Sequence, residues 1–138
     1  MNQIFVDTGA WYAIADPGDA NHQAALQCRN RLARKSALIT TNYVFDELYT
    51  LLLLNVGYQP TIAFERKLDL LEQRHILEIV WISAGVADHA WEIFERFNAD
   101  KQWSFTDCTS YIVMKQRHLA EVFAFDHHFT QMGFIRRP

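Results

Sequence analysis

Cysteine is scarce in this chain of 138 residues, which holds only Cys28 and Cys108. The two form no CxxC pair, which excludes a cysteine-rich zinc site. Two reduced, buried thiols suit a cytoplasmic setting. Neither sign of charge dominates, and a net charge of −3 excludes a molecule that attracts nucleic acid over its whole surface. A nuclease stays open, because a carboxylate-rich site is acidic until a divalent cation reverses its local sign. No apolar run approaches a membrane span, so no membrane contact is expected. The start of the chain lacks the basic and apolar segments of a signal peptide. No repeat, low-complexity stretch or linker divides it.

What is present is a globular composition, 50% hydrophobic and 21% charged. The length suits a single domain over residues 1–138 with a sizeable core. Short apolar runs predict strands at 3–7, 37–40, 76–82 and 122–125, and a short last one at 133–135. Between them the pattern predicts helices at 20–35, 43–56, 61–73, 84–98 and 106–118, and a short one carrying Trp11 and Tyr12. Asp19 and Asn42 are expected as N-caps and Gly57 as a helix stop. The helix at 84–98 is expected to pack through Val86, Ala90, Trp91, Phe94 and Phe97. Strands alternating with helices imply an α/β fold, a three-layer α/β/α sandwich around a mostly parallel sheet. The run Leu51 to Leu54 sweeps about 300° of its helix, so that helix is either central in the core or shared with a partner chain.

Four acids stand where packing alone does not explain them. Asp7 closes the run Ile4-Phe5-Val6, and Asp126 closes Val122-Phe123-Ala124-Phe125. Asp107 opens a helix, and Glu47 lies within an apolar one. Each has an ordinary reading: an Asx-turn at Asp7, a helix start at Asp107, a turn at Asp126, a solvent-facing Glu47. Taken together they are harder to dismiss, since α/β sites form at the carboxyl ends of strands. Glu47 shares its face with Tyr43, Val44, Leu51 and Leu54, whereas Asp46 shares its own with Asn42, Thr50 and Gly57, along with Tyr43, Tyr49 and Leu53. Glu47 is therefore the expected inward acid. With no Arg or Lys on those turns, a cation is the partner that an inward carboxylate would need. Four converging carboxylates hold protons or a hard divalent ion, Mg²⁺ or Mn²⁺.

The ordered pieces Phe5-Val6-Asp7-Thr8, Thr41-Asn42-Tyr43-Val44-Phe45-Asp46-Glu47-Leu48, Phe105-Thr106-Asp107 and Phe125-Asp126-His127-His128-Phe129 cover nearly the whole chain. In this order and spacing they resemble the PIN domain, most nearly its small prokaryotic VapC-like ribonucleases. The resemblance implies a parallel sheet flanked by helices and divalent-metal-dependent cleavage of RNA. It implies Asp7, Glu47, Asp107 and Asp126 as the acidic metal cluster, with Thr8 as the hydroxyl beside the first acid. It further implies frequent homodimers and, for toxin members, an antitoxin partner. Many members carry Ser or Thr two residues before the last Asp, where this chain has Ala124, which removes one site hydroxyl.

Other residues compete for attention. His127-His128 invites a zinc reading, but adjacent residues rarely ligate one ion, and the pair is expected to face solvent after a strand. Arg29, Arg31, Arg34, Lys35, Lys115 and Arg117 are candidates for tracking RNA. Trp11 and Tyr12 are expected to pack the first helix, with base stacking as the alternative. The alternative function from another class is a non-catalytic RNA-binding or scaffold module that retains the fold.

Overall fold

A computed structural model describes residues 2–138. Five parallel strands form one sheet: β1 (Asn2–Val6), β2 (Ser36–Thr41), β3 (Leu77–Val80), β4 (Glu121–Phe123) and β5 (Ile135–Arg137), in the order β3-β2-β1-β4-β5. Among the described residues seven helices connect them: α1 (Thr8–Ala15), α2 (His22–Leu32), α3 (Asn42–Asn55), α4 (Tyr58–Gln73), α5 (Ala84–Phe97), α6 (Phe105–Gln116) and α7 (His128–Gln131). β1 is central because Ile4, Phe5 and Val6 are all buried, as a strand covered on both faces must be. Its register sets Ile4 opposite Leu38 on β2 and Val6 opposite Phe123 on β4.

The chain first moves outward from β1 to β2 and β3, then returns across the sheet to β4 and β5. Right-handed crossovers therefore put α1 to α4 on one face and α5 to α7 on the other. The expected three-layer sandwich follows. The order reverses between β1 and β4, so a crevice opens at their carboxyl ends, where α/β folds place their sites.

The departures from expectation are local. α3 is capped by Thr41, whose hydroxyl accepts the Val44 N–H at 3.1 Å, rather than by Asn42. Asn42 instead accepts the Ile82 N–H at 2.7 Å and ties the start of α3 to the segment leaving β3. Asp19 does not cap α2; Asn21 holds that position, and Asp19 accepts its N–H at 3.0 Å. α4 begins at Tyr58 rather than at 61, so Pro60 lies in its first turn, where a missing N–H costs nothing. Gly57 does end α3, with φ of +106°, a conformation that side chains with a Cβ rarely adopt. The strand expected at 76–82 shortens to β3, and the last strand shifts from 133–135 to Ile135–Arg137. On α5, Ala90 is the buried contact, while Trp91 is 52% exposed and stacks on Phe94. The Leu51–Leu54 run buries only Leu52.

Candidate active site

Asp7 follows β1 directly and occupies the N-cap position of α1. Its side chain makes no capping bond, so the Asx-turn reading does not hold. It is nevertheless only 4% exposed. Burial raises its pKa well above the ordinary range, and the nearby charges of Asp107, Asp126 and Glu47 push it further up. Glu47 is half-buried on the inner side of α3, whereas Asp46 is exposed, as the face analysis expected. Burial raises the Glu47 pKa too, with further upward contributions from Asp107 and Asp126. The Thr8 hydroxyl works in the opposite direction on Glu47. That hydroxyl is itself buried and completes no hydrogen bond of normal geometry.

Asp107 sits in the first turn of α6. Ser104, the N-cap, accepts the Asp107 N–H at 2.9 Å, and Asp107 Oδ2 accepts the Ser104 N–H at 3.0 Å. This reciprocal capping box starts the helix and fixes the carboxylate at once. Burial raises the Asp107 pKa, as does the charge of Asp126, against the lowering effect of the Ser104 N–H and of His128.

Asp126 lies three residues beyond the end of β4 rather than directly after it, in the turn leading to α7. Its Oδ1 accepts the His128 N–H at 2.9 Å, so the turn reading is correct. The same turn delivers the carboxylate to the crevice. Arg136 on β5 holds this turn from behind, donating to the Phe125 and Asp126 carbonyls at 2.7 and 3.1 Å.

His128 corrects the expectation of a solvent-facing pair. His127 is exposed, but the His128 side chain is only 24% exposed and its Nδ1 lies 2.9 Å from Asp107 Oδ2. α7, absent from the sequence reading, turns it inward. Asp107, Asp126 and His128 each offer one ligand atom, and these atoms lie within 4.8 Å of one another. Asp7 and Glu47 lie outside that group of ligand atoms, yet near enough for the charges of Asp107 and Asp126 to push their pKa values up. Ala124 is buried in the core and bonds through its backbone to Arg137. One signal for His128 was available in the sequence: an imidazole two residues after an acid can share its turn.

A divalent cation fits this donor set on three grounds. The oxygens are hard ligands. Three carboxyls have pKa values raised by burial and by like charge, so protons or a cation must offset them. The orphaned Thr8 hydroxyl is a buried polar atom that still needs a partner.

The remaining candidates lie elsewhere. Trp11 is buried against Phe45 and Phe64 and donates to Thr40, so it packs α1 as expected. Arg29, Arg31, Arg34 and Lys35 precede β2, and Lys115 and Arg117 precede β4. All six stand at the amino ends of the strands, opposite the acids. Arg117 is further committed to Glu78 through two bonds of 2.9 and 2.6 Å. Among the described residues, no helix is long and apolar enough to cross a membrane.

Comparison with known proteins agrees with this fold. The chain is 31% identical over 136 residues, 98% of either length, to the 23S rRNA-specific endonuclease VapC20 of Mycobacterium tuberculosis. The crystal structure of that sarcin-ricin loop cleaving toxin superposes with a TM-score of 0.86 at 29% identity, covering 98% of this chain and 99% of the other. FitAcB from Neisseria gonorrhoeae gives 0.69 at 16% identity over 98% and 96% of the two chains, a likeness of fold. VapBC2 from Rickettsia felis gives 0.67 at 15% over 98% and 97%, again a likeness of fold. The PIN domain family profile matches residues 4–135, and the chain belongs to the PIN domain family.

Proposed function

We propose that this protein is a divalent-metal-dependent endoribonuclease, a single-domain toxin of the VapC type, that hydrolyses RNA phosphodiester bonds at the crevice between β1 and β4. The observation that carries the reading is the set of acids gathered there, Asp7 and Asp107 buried and Glu47 and Asp126 part-buried, with no Lys or Arg of the described residues paired to them. Burying an unpaired carboxylate costs several kcal/mol, and a structural role would not call for so many at one place. Full-length similarity to a 23S rRNA-specific endonuclease supports the substrate class and makes 23S rRNA the first substrate to test. A non-catalytic module would leave these acids without a use.

Asp7, Asp107, Asp126 and Glu47 are the residues that would hold Mg²⁺ or Mn²⁺. A bound ion supplies a water acidified toward neutral pH and neutralises charge on the phosphate. The rest of the work belongs to the chain. The N-termini of α1 and α6 open onto the crevice, and their dipoles favour an anionic phosphate there. Ser104 and the turn at 126–128 keep two carboxylates in place before substrate arrives. Thr8 offers its free hydroxyl beside Asp7 and Glu47.

Observations support two further readings. Leu51, Leu53 and Leu54 on α3 and Tyr58 on α4 are exposed, Leu54 by 75%, which supports this surface as the one that would meet a second copy or an antitoxin. The buried free thiols Cys28 and Cys108 suit the reducing cytoplasm.

The test is cleavage of 23S rRNA and of intact ribosomes with Mg²⁺, with EDTA as control. Asp7→Asn should remove cleavage by at least about a hundredfold, the scale for losing a group that acts in the transition state. Wild-type rates in Asp7→Asn, or cleavage that survives EDTA, would overturn the proposal.

A further inference from the structure

The turn at 125–131 is held more firmly than a surface connection requires. Arg136 binds two of its carbonyls. Phe129 anchors α7 in the core with no exposure. Gln131 accepts the Trp103 Nε1–H at 2.8 Å, which joins α7 to the loop before α6. The backbone N–H of His128 is given to Asp126. The outcome of these contacts is the position of one ring, with Nδ1 at 2.9 Å from Asp107 Oδ2 and 3.8 Å from Asp126 Oδ1. Only the first is a hydrogen bond. When Asp107 is ionised, as a ligand to a cation must be, its oxygen accepts, so Nδ1 carries the proton and donates.

Asp107 Oδ2 thereby takes two donors, the Ser104 N–H and the His128 Nδ1–H. Both come from outside the acidic group, and the second carboxylate oxygen, Oδ1, keeps its capacity. An imidazole that donates to an acid fixes that acid's rotation as a backbone donor does. Partners of this kind govern how well a carboxylate serves a cation.

We propose that His128 is a positioning residue of this site, whose Nδ1–H locks the Asp107 carboxylate so that Oδ1 is presented to the divalent ion. The inference rests on the metal-site reading given above. It assigns His128 a role distinct from ligation, although its ring nitrogen lies close enough to Asp107 and Asp126 for either.

Asn, Gln and Ala at 128 separate the cases. The side-chain amide of His128→Asn places an N–H near the original Nδ1, His128→Gln places one near Nε2, and His128→Ala supplies none. Mn²⁺ affinity is measured by calorimetry on metal-free protein, with thermal unfolding in EDTA to confirm that each variant folds. His128→Ala and His128→Gln should bind Mn²⁺ at least about tenfold more weakly, and His128→Asn should return to within about threefold of wild type, the scale of lost second-layer partners. Wild-type affinity in His128→Ala overturns the proposal. So does a His128→Asn affinity as weak as that of His128→Ala, which makes the ring itself a ligand. Nitrogen-15 spectra of wild type with Mg²⁺, which holds the acids ionised, give an independent reading: the Nδ1–H tautomer is expected at His128, and the Nε2–H tautomer overturns it. If wild type and Asp126→Asn bind Mn²⁺ equally, the metal-site reading fails first and this inference falls with it.

Discussion

At the residue scale, Asp7 was legible and His128 was not, and the difference is physical. A carboxylate directly after a buried strand must enter the switch point of a parallel sheet, so the apolar run alone places it. An imidazole beside another imidazole carries no such constraint until a helix turns one inward and leaves the other out. The buried acids make a pH prediction. Asp7, Glu47 and Asp107 all have folded pKa values raised, chiefly by burial. As pH rises through the ordinary carboxylate range, the unfolded chain has released these protons while the folded chain still holds them. Stability without metal therefore falls from that range up to the raised values and then levels off. Asp7→Asn removes one raised group, so its stability should fall less over the same interval and exceed that of wild type at its upper end. Added Mg²⁺ should recover the loss in wild type, since it binds only the folded state. Thermal unfolding from pH 4 to pH 8, with EDTA or Mg²⁺, measures this. A stability profile of equal slope in wild type and Asp7→Asn would show that Asp7 is ionised at no cost.

At the element scale, strands and long helices were legible because their apolar periods are strong, while ends depended on single polar side chains. Thr41 outcompetes Asn42 as the cap of α3 because Asn42 is drawn off to the Ile82 N–H. α7 has four residues, too few to show a period. The pattern Ser104-x-x-Asp107 was a readable capping box, and its two bonds give α6 a dual dependence. Ser104→Ala should destabilise the protein by about 1 kcal/mol, the usual cost of a lost N-cap. It should also weaken Mn²⁺ binding, because Asp107 loses its fixed rotation. Ser83→Ala removes an equivalent cap from α5, a helix that carries none of the four acids, and should cost similar stability with a smaller change in Mn²⁺ affinity. Equal effects of the two variants on affinity would mean that Ser104 acts on the site only through general stability.

At the scale of the whole molecule, the chain separates its surfaces by topology. Parallel strands put every acid of the site at one end of the sheet and the Arg29–Lys35 cations at the other, which the charge count could not reveal. The leucine run was read as belonging to a core or to a partner, and the fold buries Leu52 while leaving Leu51, Leu53 and Leu54 exposed. Leu52 is buried, while Leu53 is 52% and Leu54 75% exposed at the end of α3, beside Tyr58 at 63%. A large apolar side chain left in water forgoes about 1.5–3 kcal/mol that burial would supply. Several of them adjoining one another at the α3–α4 corner favour association. Leu54→Glu should match the wild-type melting temperature at concentrations too low for association, because Leu54 makes little contact within the monomer, and should lack the rise with concentration that a dimer gives wild type. The same variant should abolish self-association if this corner is the interface, because a charge placed there must be desolvated. Light scattering over a range of concentrations measures it: wild type should be dimeric at tens of micromolar, on the order expected for a modest interface, and Leu54→Glu monomeric. A wild type that stays monomeric throughout would remove the second copy as the partner and leave the corner to a different protein. A Leu54→Glu dimer would place the interface elsewhere on the molecule.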